Sequence, residues 1–191
     1  MRAAALAPLV LAVAALAAVP GAGSARQTTC STVAATIVGT NGPDALVGTS
    51  HKDVIAALGG DDTVYALGGD DIVCAGEGDD RVFGGKGWDG VTAGPGDDVL
   101  VGSTGSDYLN GGRGDDRISG GAGHDATFGG GGRDEVNGGD GPDDVRGGAG
   151  SDDLKGGNGA DAIRGGSGFD RCDGGPQTDT GASCEVATSI P

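Results

Sequence analysis

An aliphatic residue returns every nine positions through most of this chain, and an aspartate stands two residues before each one. Val, Leu or Ile occupies the slot at Leu46, Ile55, Val64, Val73, Val82, Val91, Leu100, Leu109, Ile118, Val136, Val145, Leu154 and Ile163. Thr127, Cys172 and Gly181 fill it in the remaining units. The clearest copy is Gly84-Gly85-Lys86-Gly87-Trp88-Asp89-Gly90-Val91-Thr92, or G-G-x-G-x-D-x-U-x with U aliphatic. Sixteen such units run without insertion or deletion over residues 39–182. The sixth position is Asp in all of them: Asp44, Asp53, Asp62, Asp71, Asp80, Asp89, Asp98, Asp107, Asp116, Asp125, Asp134, Asp143, Asp152, Asp161, Asp170 and Asp179.

Glycine fills the fourth position in fourteen units, with His51 and Gln177 as the exceptions. Glycine reaches positive φ without steric cost, so the first six residues of each unit predict a tight turn. The last three, such as Arg81-Val82-Phe83, predict a short strand whose eighth position faces inward and whose seventh and ninth face out. Two units then make one coil of an all-β solenoid. Eight coils of parallel strands at about 4.8 Å spacing give a rod of roughly 38 Å. Nine residues before Leu46, Ile37 falls in the apolar slot while Ala35 falls in the Asp slot. Residues 26–38 therefore read as an N-terminal cap strand that continues the core and omits the carboxylate, as terminal repeats of an array do.

Composition makes this core a thin one. Aromatic residues are 3% of 191, glycine numbers 44, and the formal charge is −16. One buried aliphatic residue per nine cannot offset the backbone entropy of ordering all nine, and stacking coils brings Asp onto Asp. Some further source of cohesion is required, and a bound cation is the obvious one. The same charge argues against nucleic acid and anionic membrane surfaces as partners.

Stacked carboxylates beside turns that expose main-chain carbonyls offer oxygen donors only. That set suits a hard cation taking six to eight oxygens, Ca2+ better than Mg2+, which demands near-ideal octahedral geometry. Two histidines and no local Cys/His cluster leave Zn2+ few of its usual ligands. The unit resembles the repeat-in-toxin (RTX, hemolysin-type) calcium-binding nonapeptide, and the resemblance spans residues 39–182. It implies a parallel β-roll that is folded when Ca2+ fills the turns, with multiple ions shared between units n and n+2. It also carries over the position-six aspartates, Asp44 through Asp170, as metal ligands beside main-chain carbonyls. Units three and four depart from the pattern, reading Ala57-Leu58-Gly59-Gly60-Asp61-Asp62 and Ala66-Leu67-Gly68-Gly69-Asp70-Asp71 without the first two glycines. With the His51 and Gln177 units, they are expected to bind weakly or not at all.

The ends differ from the array. Met1-Arg2, an Ala/Leu/Val run to Val19, Pro20 and small residues to Ala25 have the layout of a secretory signal peptide over residues 1–25. The toxins of the resembled family usually lack such a leader, so the resemblance is to small secreted repeat proteins instead. Residues 183–191 read as a C-terminal tail. Four cysteines in an exported chain suggest two disulfides, for which three pairings exist. Cys172 and Cys184 bracket the degenerate last unit and are paired as a clasp, which leaves Cys30 with Cys74. No G-x-S-x-G or H-E-x-x-H motif occurs, so no enzyme is expected. Threonine ranks of an ice-binding face are missing as well. Val47, Tyr65, Ile72, Phe83 and Val101 make the early outward positions apolar, whereas Arg146, Lys155 and Arg164 make the late ones basic. An apolar outer face of this kind is either covered by residues 26–36 or a docking patch for a surface or matrix partner.

Overall fold

The computed structural model describes residues 29–188 apart from 31, 183 and 185. The expected signal peptide lies outside the described residues. A hairpin of β1 (Thr29–Cys30) and β2 (Val33–Ala34) precedes β3 (Ile37–Val38) and β4 (Ala45–Val47). Thirteen six-residue strands follow at nine-residue intervals, from β5 (Val54–Gly59) to β17 (Ala162–Ser167). The array closes with β18 (Arg171–Asp173), β19 (Thr180–Ala182) and β20 (Val186–Thr188).

From β3 on, odd-numbered strands form one nine-stranded sheet and even-numbered strands the other. Within each, every strand pairs in parallel with the strand eighteen residues away, so that Leu100 lies between Val82 and Ile118. This is a parallel β-roll of about eight coils, two nonapeptides to the coil. One closing pair alone differs in spacing, since β18 pairs with β20 through Arg171 and Val186. The last residues thus add a strand to the sheet where the sequence suggests a tail.

Strands are twice as long as the three residues the pattern suggests, because positions one to three of the next unit continue the ladder. In β8 (Arg81–Lys86), Arg81, Val82 and Phe83 pair with Val99, Leu100 and Val101, and Gly85 and Lys86 pair with Ser103 and Thr104. Only positions four to six remain as turn. The extension depends on backbones that approach closely: Gly85 has φ +112°, and a Cβ there would collide with the carbonyl of Leu67 in the coil before it. Leu58, Leu67 and Ser103 hold this second position at φ +87°, +77° and +85°, a conformation side chains rarely adopt.

Two positions per unit point inward. The eighth supplies Ile55 through Cys172, and the first supplies either glycine or the buried methyl groups of Ala57, Ala66, Ala75 and Ala93. Thr127 continues the eighth-position row with a buried hydroxyl that has no partner. Outward rows differ between the sheets. The hairpin covers one, packing Cys30 against Val54, Ala56, Ala35, Ile72 and Cys74, with the Cys30–Cys74 disulfide holding it there. Val47 and Tyr65 stay exposed on the other, where the Tyr65 and Phe83 rings stack at 5.0 Å. The second disulfide joins Cys172 to Cys184 at the far end. No helix among the described residues is long and apolar enough to cross a membrane.

Because one aliphatic side chain per half-coil carries the core, its loss is costly. Leu109→Ala should lower stability by about 2–5 kcal/mol in urea denaturation, whereas Val47→Ala, on the exposed row, should change it by less than about 0.5 kcal/mol.

Candidate metal centre

The sixth-position aspartates end each turn, and the next strand begins at the following residue. From Asp53 to Asp179 all are buried, and from Asp62 onward none is more than 3% exposed. Carboxylates are seldom buried so completely unless each oxygen finds a partner. Here one oxygen does. The main-chain N–H of Asp44 donates to Asp62 Oδ1 at 2.8 Å, that of Asp62 to Asp80 Oδ1 at 2.8 Å, and that of Asp80 to Asp98 Oδ1 at 2.7 Å. The other edge of the roll repeats this from Asp53 and Asp71 onward, through Asp143 N–H to Asp161 Oδ1 at 2.9 Å. Aspartate therefore stacks on aspartate along both edges, each tied to the coil before it.

The second oxygen is different. Oδ2 has no hydrogen-bond partner at Asp62, Asp71, Asp80, Asp89, Asp98, Asp107, Asp116, Asp125, Asp134, Asp143, Asp152, Asp161 and Asp179. It faces the space that a first-position side chain would fill. At Gly138, a Cβ would lie 2.6 Å from Asp143 Oδ2 and 2.6 Å from the carbonyl oxygen of Gly156, one coil along. Glycine is thus required where a carboxylate oxygen and a main-chain oxygen close in on its Cα. Among the described residues no three His, Cys, Asp or Glu side chains gather as in a side-chain cage. A cation here would draw one or two carboxylate oxygens and complete its shell from carbonyls, which is hard-cation chemistry.

The family model for the RTX calcium-binding nonapeptide repeat matches residues 38–73, 47–82, 68–100, 92–126, 101–136, 128–162, 137–172 and 146–180. The chain belongs to this family. The comparison with curated proteins finds no match. The family is a calcium-binding one, and the oxygen-only donor set along the two edges suits that chemistry.

Departures from the RTX consensus sort differently in the structure than in the sequence. Units three and four keep the turn despite Leu58 and Leu67, and Asp62 and Asp71 keep an unpaired Oδ2. Their first-position residues, Ala57 and Ala66, carry a buried methyl group, as do Ala75 and Ala93 in units five and seven. Gln177 accepts from the main-chain N–H of Gly159 at 3.0 Å through Oε1. Trp88 and Phe169 are exposed at the turn edge, and His124 donates its main-chain N–H to Ser106. The larger deviation lies in units one and two. Thr40 donates its N–H and hydroxyl to Asp44 Oδ2 at 2.6 and 2.9 Å, and Thr49 does the same to Asp53 Oδ2 at 2.7 and 2.9 Å. The consensus offers no reason to single out these threonines, although threonine four residues before the aspartate is visible in both units.

Burial dominates the electrostatics. It pushes the carboxyls of Asp80, Asp89, Asp98, Asp134 and Asp143 up to about 6, and those of Asp107 and Asp116 up to about 7. The main-chain N–H that each accepts opposes the rise, and neighbouring aspartates add to it. Asp62, Asp71, Asp125, Asp152 and Asp161 shift in the same direction, again through burial first. Near neutral pH the metal-free roll consequently holds protons that the unfolded chain releases.

Linkage then gives the sign. Stability of the metal-free roll is fully present below the ordinary carboxylate value of 3.8 and is lost as pH rises through 6 to 7. In a calcium chelator, β-structure should accordingly survive more denaturant at pH 5 than at pH 7.5. Circular dichroism across that range checks it, and a flat or rising pH profile would contradict it.

Proposed function

We propose that this chain is a secreted calcium-binding protein whose repeats become a rigid β-roll when Ca2+ occupies the two edges. The ligands are sixth-position aspartates whose Oδ2 is bare, with main-chain carbonyls of the adjoining turns. Support is strongest for those from Asp62 to Asp161, and it rests on one observation, the buried and unpaired Oδ2 repeated in each unit. Bound Ca2+ supplies the positive charge that these carboxylates lack. The chain's own part is to hold each carboxylate through its Oδ1 bond, to exclude water by stacking coils, and to let carboxylate and main-chain oxygens close in on the first-position glycine. Two disulfides among four cysteines support an oxidising compartment, in keeping with a cleaved leader at residues 1–25. No catalytic role is proposed. Scarce calcium inside the cell keeps the repeats unfolded for export, and the higher calcium outside completes folding.

One observation favours a second reading, a calcium-set rod that displays a docking face to a surface or matrix partner. The row of Val47, Tyr65, Phe83 and Val101 lies on the sheet that the hairpin does not cover. Replacing Tyr65 and Phe83 by Ser would abolish attachment with calcium binding intact under this reading. Attachment unchanged by the double substitution would rule it out.

Far-UV circular dichroism of residues 26–191 during parallel Ca2+ and Mg2+ titrations tests the principal reading. The expected result is a cooperative gain of β-structure with Ca2+ and little with Mg2+. Full β-structure in chelator, or an equal response to Mg2+, would overturn it.

A further inference from the structure

The two coil edges are not uniform along the rod. In units three to fourteen the sixth-position carboxylate has one oxygen bonded and one bare. In units one and two the bare oxygen is gone. Thr40 and Thr49 occupy the second position, where later units mostly have glycine, and each donates both its N–H and its hydroxyl to the Oδ2 of its own unit. Two donors on one carboxylate oxygen satisfy its lone pairs in the plane of the carboxylate. The other oxygen of Asp53 faces the Thr36 hydroxyl at 3.4 Å, and Thr36 also exchanges hydrogen bonds with Val54, accepting from its N–H at 2.9 Å.

The same end of the molecule carries cohesion that the later coils lack. The hairpin seats Cys30 in a closed apolar cluster with Val54, Ala56 and Ile72, on the strands that flank Asp53 and Asp71. The Cys30–Cys74 disulfide joins that hairpin to β7 (Ile72–Glu77), across a separation of 44 residues. A cross-link of this length removes much of the unfolded chain's freedom. Around Asp44 and Asp53, side chains and a covalent bond therefore do the work assigned to cations elsewhere.

We infer that the first coil is a calcium-independent starter: Asp44 and Asp53 are held by Thr40 and Thr49 and are not calcium ligands, and the calcium-dependent coils stack onto the coil they complete. This rests on the reading of the later sixth-position aspartates as ligands. The exposed upper edge of such a starter is a ready template, because each new strand pairs in parallel with the strand eighteen residues before it. Calcium-driven ordering accordingly runs from the N-terminal end toward Cys172. Threonine at the second position takes the place of an ion by giving the carboxylate two protons to accept.

Hydrogen exchange of the disulfide-intact chain, in chelator and in Ca2+, tests the inference directly. Amides of Thr36, Gly39 and Val54, which bond between β3 and β5, should keep their protection in chelator, while those of residues 100–165 exchange at least a hundredfold faster than in Ca2+. Equal loss of protection in both sets would overturn it. Counting bound Ca2+ by equilibrium dialysis with Asp53→Asn and Asp116→Asn separates this inference from the reading beneath it. Asp53→Asn should leave the count unchanged, and Asp116→Asn should lower it by at least one ion. A lowered count in both variants removes the starter and keeps the ligand assignment; an unchanged count in both removes both. Because the exchange experiment needs no substitution, a variant that fails to fold does not shelter the inference.

Discussion

A buried carboxylate with one oxygen bonded and the other bare recurs at each half-coil from Asp62 to Asp161. Removing a carboxylate from water is expensive, and a single N–H does not repay it. Stacking the groups eighteen residues apart compounds the cost, since each aspartate raises its neighbour's affinity for a proton. The fold is therefore held open to two states of the same positions: protonated, or charged and matched by a cation. Every other feature of the array follows from meeting that condition in a regular way.

Glycine is one such feature. At the first position its missing Cβ lets a carboxylate oxygen and a carbonyl oxygen close in on its Cα, and at the second its positive φ carries the strand onward into the next coil. Both uses weaken the chain as a conventional folder, because glycine gives no side chain to the core and has the most freedom to lose. The core itself is one row of aliphatic residues per sheet, with alanine methyls added near the N-terminal end. Cohesion is concentrated at the two ends by disulfides and along the two edges by whatever neutralises the aspartates. Between them lies little that could keep the roll folded alone.

Periodicity made most of this legible from the residues. The ninefold return of Asp and of an aliphatic residue established coil size, inward and outward positions and the eighteen-residue partner, as Leu100 between Val82 and Ile118 illustrates. It also pointed to the aspartates as the chemistry-bearing positions. It did not show that they turn inward and stack through their own main chain, because a carboxylate in a turn is ordinarily solvated. Strand length was underestimated for a related reason: positions one to three look like turn, and only the close approach of neighbouring backbones makes them strand. In the first coil only the His51 unit stood out, for its fourth position; the role of Thr40 and Thr49 depends on where the Asp oxygens lie. Ile72 reads as outward, and it is; the cover that residues 26–36 could provide takes the form of the hairpin, which lies over Val54 and Ile72.

The most direct measurement is diffraction from crystals grown with calcium, with data collected where calcium scatters anomalously. If the bare oxygens are what the array is built around, anomalous peaks form two ranks, one along each edge. Each peak then lies within about 2.3–2.6 Å of an Oδ2 in the units from Asp62 onward. Peaks confined to outward carboxylates such as Asp144 and Asp153, with the buried Oδ2 atoms untouched, would contradict the account.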